Sequence, residues 1–113
     1  MVMMDSSTGK VLSSVPIGER VDANAFDPAT GLVFASCGDG TVTVAREETP
    51  GRLAVVQTLA TAAGARTMAL DPKTHRIYLA SALFEPAAPT AAAGVPQRPR
   101  VVPGTFKVLV YGM

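Results

Sequence analysis

The sequence repeats itself at an interval of 44 residues, and a repeat restricts the available folds more than any single motif does. "FDPATGLVFASCG" (26–38) and "LDPKTHRIYLASA" (70–82) share one plan: an apolar segment, Asp-Pro, a Thr, then a second apolar segment. Shifted by 44, residues 11–37 align with 55–81 without a gap. Val11 meets Val55, Ala25 meets Ala69, Asp27-Pro28 meets Asp71-Pro72, and Thr30 meets Thr74. Only five of the 27 positions are identical, so identity alone is weak evidence. What strengthens it is that turn residues fall at the same places in the apolar pattern, with Val33 opposite Ile77 and Phe34 opposite Tyr78.

A period of about 40–45 residues is the length of one four-stranded propeller blade. Four strand types recur: a (about 21–26 and 65–70), b (32–37 and 76–82), c (41–46 and 105–111) and d (10–16 and 52–59). A further c precedes the first d, so the expected order is c,d; a,b,c,d; a,b,c, about nine short strands. Ten Gly and nine Pro suit many short strands better than long helices. The a–b turns are predicted at 27–31 and 71–75. There Asp27 accepts backbone N–H bonds, Pro28 presets φ, and Gly31 takes a positive φ. His75 replaces that glycine in the second copy, and histidine is among the few other residues enriched in the left-handed region. The run "AVVQTLATAAGARTMAL" is rich in alanine, yet its Val-Val, Thr and Gly64 favour two strands separated by a loop over a helix.

The second b–c connection breaks the period. "GT" recurs at 40–41 and 104–105, an offset of 64, which leaves 20 additional residues in "FEPAAPTAAAGVPQRPRVVPG". Five Pro and five Ala mark an extended, loosely packed and mobile insertion. The chain therefore divides into 1–18 (the end of one blade), 19–59 (a full blade) and 60–113 (a final blade with a Pro/Ala-rich insertion at 84–103). The expected fold class is all-β: about two four-stranded antiparallel blades of a β-propeller, forming an incomplete ring.

These strings resemble the bacterial YVTN-repeat, or YncE-like, seven-bladed β-propellers. "VDANAFDPATGLVFASCGDGTVTV" and "GARTMALDPKTHRIYLASA" carry the resemblance, and "TGKVLSSVPIG" is similar to that family's outer strand and its connection to the next blade. It covers nearly all of 2–112, and "GARTMALDPKTHRIYL" resembles the family's final blade. The absence of tryptophan argues against WD40 repeats. The resemblance implies a C-terminal portion, or truncated reading frame, of a longer propeller. It also implies a periplasmic or secreted location, and ligand or partner sites at the mouth of the central channel.

Composition narrows the function classes. The net charge is +1 with scattered basic residues, so there is no basic stripe and no nucleic-acid partner is expected. No apolar run approaches the roughly 20 residues of a helical membrane span. "MVMMDSSTGK" lacks the basic flank, apolar run and cleavage site of a signal peptide. Cys37 stands alone, which excludes an internal disulfide and a multi-cysteine metal site. There is no P-loop, dinucleotide fingerprint or GxSxG elbow, and neither cofactor nor metal is expected.

Strand order puts "PIGERVD", "TAAGART", "GDG" and the insertion on one face, around the channel mouth. Asp22 and Arg66 occupy equivalent positions there, at the start of adjacent inner strands, and Asn24 follows with the parity of Asp22. These three are the candidate ligand-binding residues. The competing reading is architectural: an inter-blade ion pair or hydrogen bonds to loops. Asp39 between two glycines reads as a hairpin residue, His75 as a turn residue on the opposite face, and Cys37 as a small buried residue. Arg98 and Arg100 read as solvated charges in the insertion. Two function classes remain. One is a non-catalytic binding or scaffold propeller for an unknown small molecule or protein. The other is the propeller part of an enzyme, a lactonase-like hydrolase or an electron-transfer dehydrogenase subunit. Blade faces left uncovered imply as partners the remaining blades of a longer chain or self-association.

Overall fold

The computed structural model describes residues 1–86 and 99–112. Among them the chain is all-β, with nine strands and no helix. The strands are β1 (Val2–Met4), β2 (Val11–Ser14), β3 (Val21–Asp27), β4 (Leu32–Cys37), β5 (Thr41–Thr49), β6 (Arg52–Ala60), β7 (Met68–Asp71), β8 (Arg76–Ser81) and β9 (Lys107–Tyr111). They form three antiparallel sheets in simple up-and-down order: β1-β2, β3-β4-β5-β6 and β7-β8-β9. The alanine-rich run is strand through Ala60 and loop before Met68.

Each sheet has two faces because side chains alternate along a strand. On the middle sheet, Leu32, Phe34 and Val44 point to the third sheet and meet Ile77 and Leu79 in a common core, with Leu109 and Tyr111 packed against it. Its opposite face carries Thr43 and Ala45, also buried, on the side of the first sheet. The first half of β5, "TVTVA", is therefore apolar or uncharged on both faces. The rest, Arg46–Thr49, is polar and exposed where the β5–β6 hairpin runs beyond its neighbours. Strand c thus extends three residues past the predicted Arg46, because Pro50-Gly51 makes a turn tight enough for Thr49 to pair with Arg52.

The first sheet repeats a detail of the middle one. The β1–β2 ladder slips between Met3 and Met4 and the β5–β6 ladder between Val44 and Ala45, so Leu12 and Val56, 44 residues apart, are the extra residues of matching bulges. The repeat is therefore present in hydrogen-bond register as well as in sequence.

Strand a of the final unit is shorter than the predicted 65–70, beginning at Met68. Residues before it bond within their own loop: the Ala65 N–H donates to Ala62 O and the Arg66 N–H to Gly64 O. The c strand of that unit pairs two residues later than the "GT" match implies. Cys37 pairs with Thr41 but Ser81 with Lys107, which makes the structural offset 66. Thr105 turns its hydroxyl inward, accepting from the Leu83 N–H at 3.0 Å and donating to Val102 O at 2.7 Å. The ends of the predicted insertion are themselves paired. Phe84 bridges Val101, the Glu85 N–H donates to Arg100 O, and the Val102 N–H donates to Leu83 O. Residues 87–98, and the mobility expected of them, lie outside the described residues.

Candidate functional site

The sharp b–c turn Gly38-Asp39-Gly40 holds the loop end together. On one side the segment before β3 docks onto it: the Gly38 N–H donates to Arg20 O at 3.0 Å, and an Arg20 guanidinium N–H donates to Gly38 O at 2.9 Å. Asp39 accepts the Glu19 N–H at 2.8 Å and the Thr41 hydroxyl at 2.6 Å. These two bonds, led by that of Thr41, hold the Asp39 carboxyl below the ordinary carboxylate value. A side chain at Gly18 would collide with Asp39 and Thr41, so this position needs glycine for close approach. On the other side the loop before β7 docks, with the Thr61 N–H on Gly40 O and the Gly64 N–H on Gly38 O. Arg20, a non-glycine residue at φ 57°, is held in the left-handed region by its two bonds to Gly38.

The predicted candidates sit around this assembly but do not form one cluster. Asp22 is the extra residue of a bulge, since Val21 pairs with Cys37 and Ala23 with Ser36. It is exposed and accepts the Thr67 hydroxyl at 3.3 Å, which ties β3 to the segment entering β7. No ion pair joins it to Arg66; among the described residues the one acid–base contact is between His75 and Asp27. Asn24 is exposed on β3, and its side chain has no hydrogen-bond partner among the described residues. The Arg66 carbonyl accepts the buried Ser36 hydroxyl, anchoring its backbone while its side chain faces out.

Arg66 instead pairs in space with Arg20. The two line a cavity of about 420 Å³ with Gly38, Ala63, Gly64, Phe84 and Pro99. A second hollow of about 300 Å³ adjoins it, sharing Gly64, Arg66 and Phe84 and adding Val101 and Phe106. Phe84 and Phe106 are 51% and 68% exposed, large for aromatic side chains. Arg20 and Phe84 were not among the candidates read from the sequence. The repeat offers no signal for either, since Arg20 aligns with Gly64 and Phe84 lies past the aligned segment.

The opposite end carries a contact that sequence reading missed. His75, at φ 58° in its turn, places Nδ1 2.7 Å from Asp27 Oδ2 of the preceding unit. Asp27 is 1% exposed and also accepts the Thr30 hydroxyl and the Ala29 N–H. Burial alone would raise its pKa, but the bonds from Thr30, His75 and Ala29 outweigh it and leave the carboxyl lowered. Cys37 is fully buried, and burial, with the nearby Asp39 charge, pushes its thiol pKa up, away from nucleophilic use. No group of three His, Cys, Asp or Glu able to hold a metal occurs among the described residues. No helix among them is long and apolar enough to cross a membrane. Comparison with protein-family models, with curated proteins and with solved structures finds no match to this chain.

Proposed function

We propose that the three sheets are successive blades of a β-propeller of the YVTN-repeat, YncE-like kind, and that their loop end is a non-catalytic binding surface. Antiparallel four-strand order, stacked sheets and a repeated bulge support the blade reading. One observation carries the binding reading: two guanidiniums, Arg20 and Arg66, flank a cavity walled by Phe84 and Pro99. Arginine offers a planar fork of donors to a carboxylate or phosphate, and exposed aromatic and proline surface offers a platform for a flat apolar body. The ligand class that fits is thus an anionic group on an aromatic or otherwise flat frame. Arg20 already spends one donor on Gly38 O, which fixes its position before a ligand arrives and lowers the ordering cost of binding.

Ligand-observed NMR with phenyl phosphate and benzoate as probes tests this, with benzyl alcohol as the neutral control. The anionic probes are expected to bind and the alcohol not, with binding weakened about tenfold in Arg66→Ala, equivalent to about 1.4 kcal/mol. Equal binding of all three probes, or an Arg66→Ala chain that binds as the parent does, would overturn the reading.

A further inference from the structure

The two outermost faces of the sheet stack are the unmatched halves of a contact that the molecule makes inside itself. In the middle sheet Phe34 and Val44 form a cross-strand pair, 8% and 5% exposed, pressed on the third sheet. Their counterparts in the third sheet are Tyr78 and Val110, also a cross-strand pair. Val110 and its same-face neighbour Val108 are 51% and 52% exposed. The receiving side shows the converse. Thr43 and Ala45 of the middle sheet are 2% and 0% exposed, and their third-sheet counterparts Leu109 and Tyr111 pack against the core. The matching bulges make Val2 and Met4 the first-sheet members of this set, and both are 54% exposed. Val11, paired with Met4, adds another 55% exposed apolar side chain.

We propose that these faces cover one another between two copies of the chain: the Tyr78–Val108–Val110 face of one copy receives the Val2–Met4–Val11 face of the next. The occupant is a second copy because Val2 and Met4 hold, on strand c of the first sheet, the positions that Leu109 and Tyr111 hold on strand c of the third sheet in the contact already made with the middle sheet. It is heterologous, face against a different face, so it propagates head to tail and does not stop at a symmetric pair. The inference stands on packing and is independent of what binds the loop end.

Light scattering and sedimentation velocity on the 113-residue chain test it. The parent is expected to grow in mass with concentration beyond a dimer. Met4→Glu and Val110→Glu, each on one exposed face, are each expected to remain monomeric. Mixed in equal amounts they should give a dimer and nothing larger, because each retains the one face that the other needs. Val2→Lys with Val108→Lys repeats the design at neighbouring exposed positions, with circular dichroism confirming that all four variants keep the parent's strand content. A parent that stays monomeric at every concentration overturns the proposal, as does a mixture that stays monomeric or single variants that assemble like the parent.

Discussion

Asp27 and Asp71 begin the same turn, and each takes bonds from the threonine three residues on: 2.9 Å from Thr30 to Asp27 and 2.7 Å from Thr74 to Asp71. Both carboxyls are held below their ordinary value, Asp27 against its burial, Asp71 chiefly by Thr74 and the Lys73 N–H. A depressed folded-state pKa means that the native state binds fewer protons than the unfolded chain, so stability rises with pH through that range. The contribution is present above the unfolded value of 3.8 and is lost as pH falls through the lower folded values. The urea midpoint is therefore expected to drop as the pH falls through and below 3.8, and to drop less in Asp27→Asn, which has no charge to protonate. Equal acid losses in the two proteins would show that Asp27 is not a source of the pH dependence. The Asp-Pro-x-Thr string made Asp27 legible as a turn acceptor. The His75 bond was not, because its partner lies 48 residues away and is placed by sheet stacking.

Strands and turns were the most legible level, since β-branched alternation and Gly, Pro and Asp punctuation act locally. The all-β character and the turns at Asp27–Gly31 and Asp71–His75 follow from such signals, and each turn closes with an i+4 backbone bond, Gly31 N–H to Asp27 O and His75 N–H to Asp71 O. Registers were less legible. Aligning "GT" with "GT" gave an offset of 64, whereas the ladder pairs at 66, because Thr105 satisfies loop groups instead of opening the strand. The Asp22 bulge also had no sequence mark, and it removes Asp22 from the ladder that Asn24 still occupies. Pairing at the insertion's ends leads to a testable expectation. The Glu85 and Val102 amides donate across the ribbon at 2.8 Å each, so both should exchange with solvent more slowly than the exposed turn amides of Ser6 and Ala63, which donate no hydrogen bond among the described residues. Exchange of Glu85 and Val102 at the rate of those turn amides would mean the ribbon does not persist in solution.

At the scale of the molecule, the three sheets give an extended slab, 53 × 33 × 21 Å, with a radius of gyration of 16.9 Å. Compact chains of about 100 residues have a radius near 13 Å, so this stack covers fewer of its faces than an ordinary domain does. Stability then concentrates where two sheets do cover each other, as expected of repeat arrays with nearest-neighbour interfaces. Leu79 is the largest fully buried side chain in that interface, at 0% exposure, and it touches the middle sheet's core. Leu79→Ala should cost about 2–5 kcal/mol, from lost transfer energy and the cavity left behind. Val56→Ala, at a bulge position 46% exposed, should stay within about 0.5 kcal/mol. Tyr78 and Tyr111 both lie on the third sheet, so tyrosine fluorescence follows that sheet while far-ultraviolet circular dichroism follows all nine strands. If the interface couples the sheets, Leu79→Ala moves both transitions together to lower denaturant. A fluorescence midpoint that falls while the dichroism midpoint stays would show that the third sheet melts alone, and that the shared core does not bind the stack into one cooperative unit.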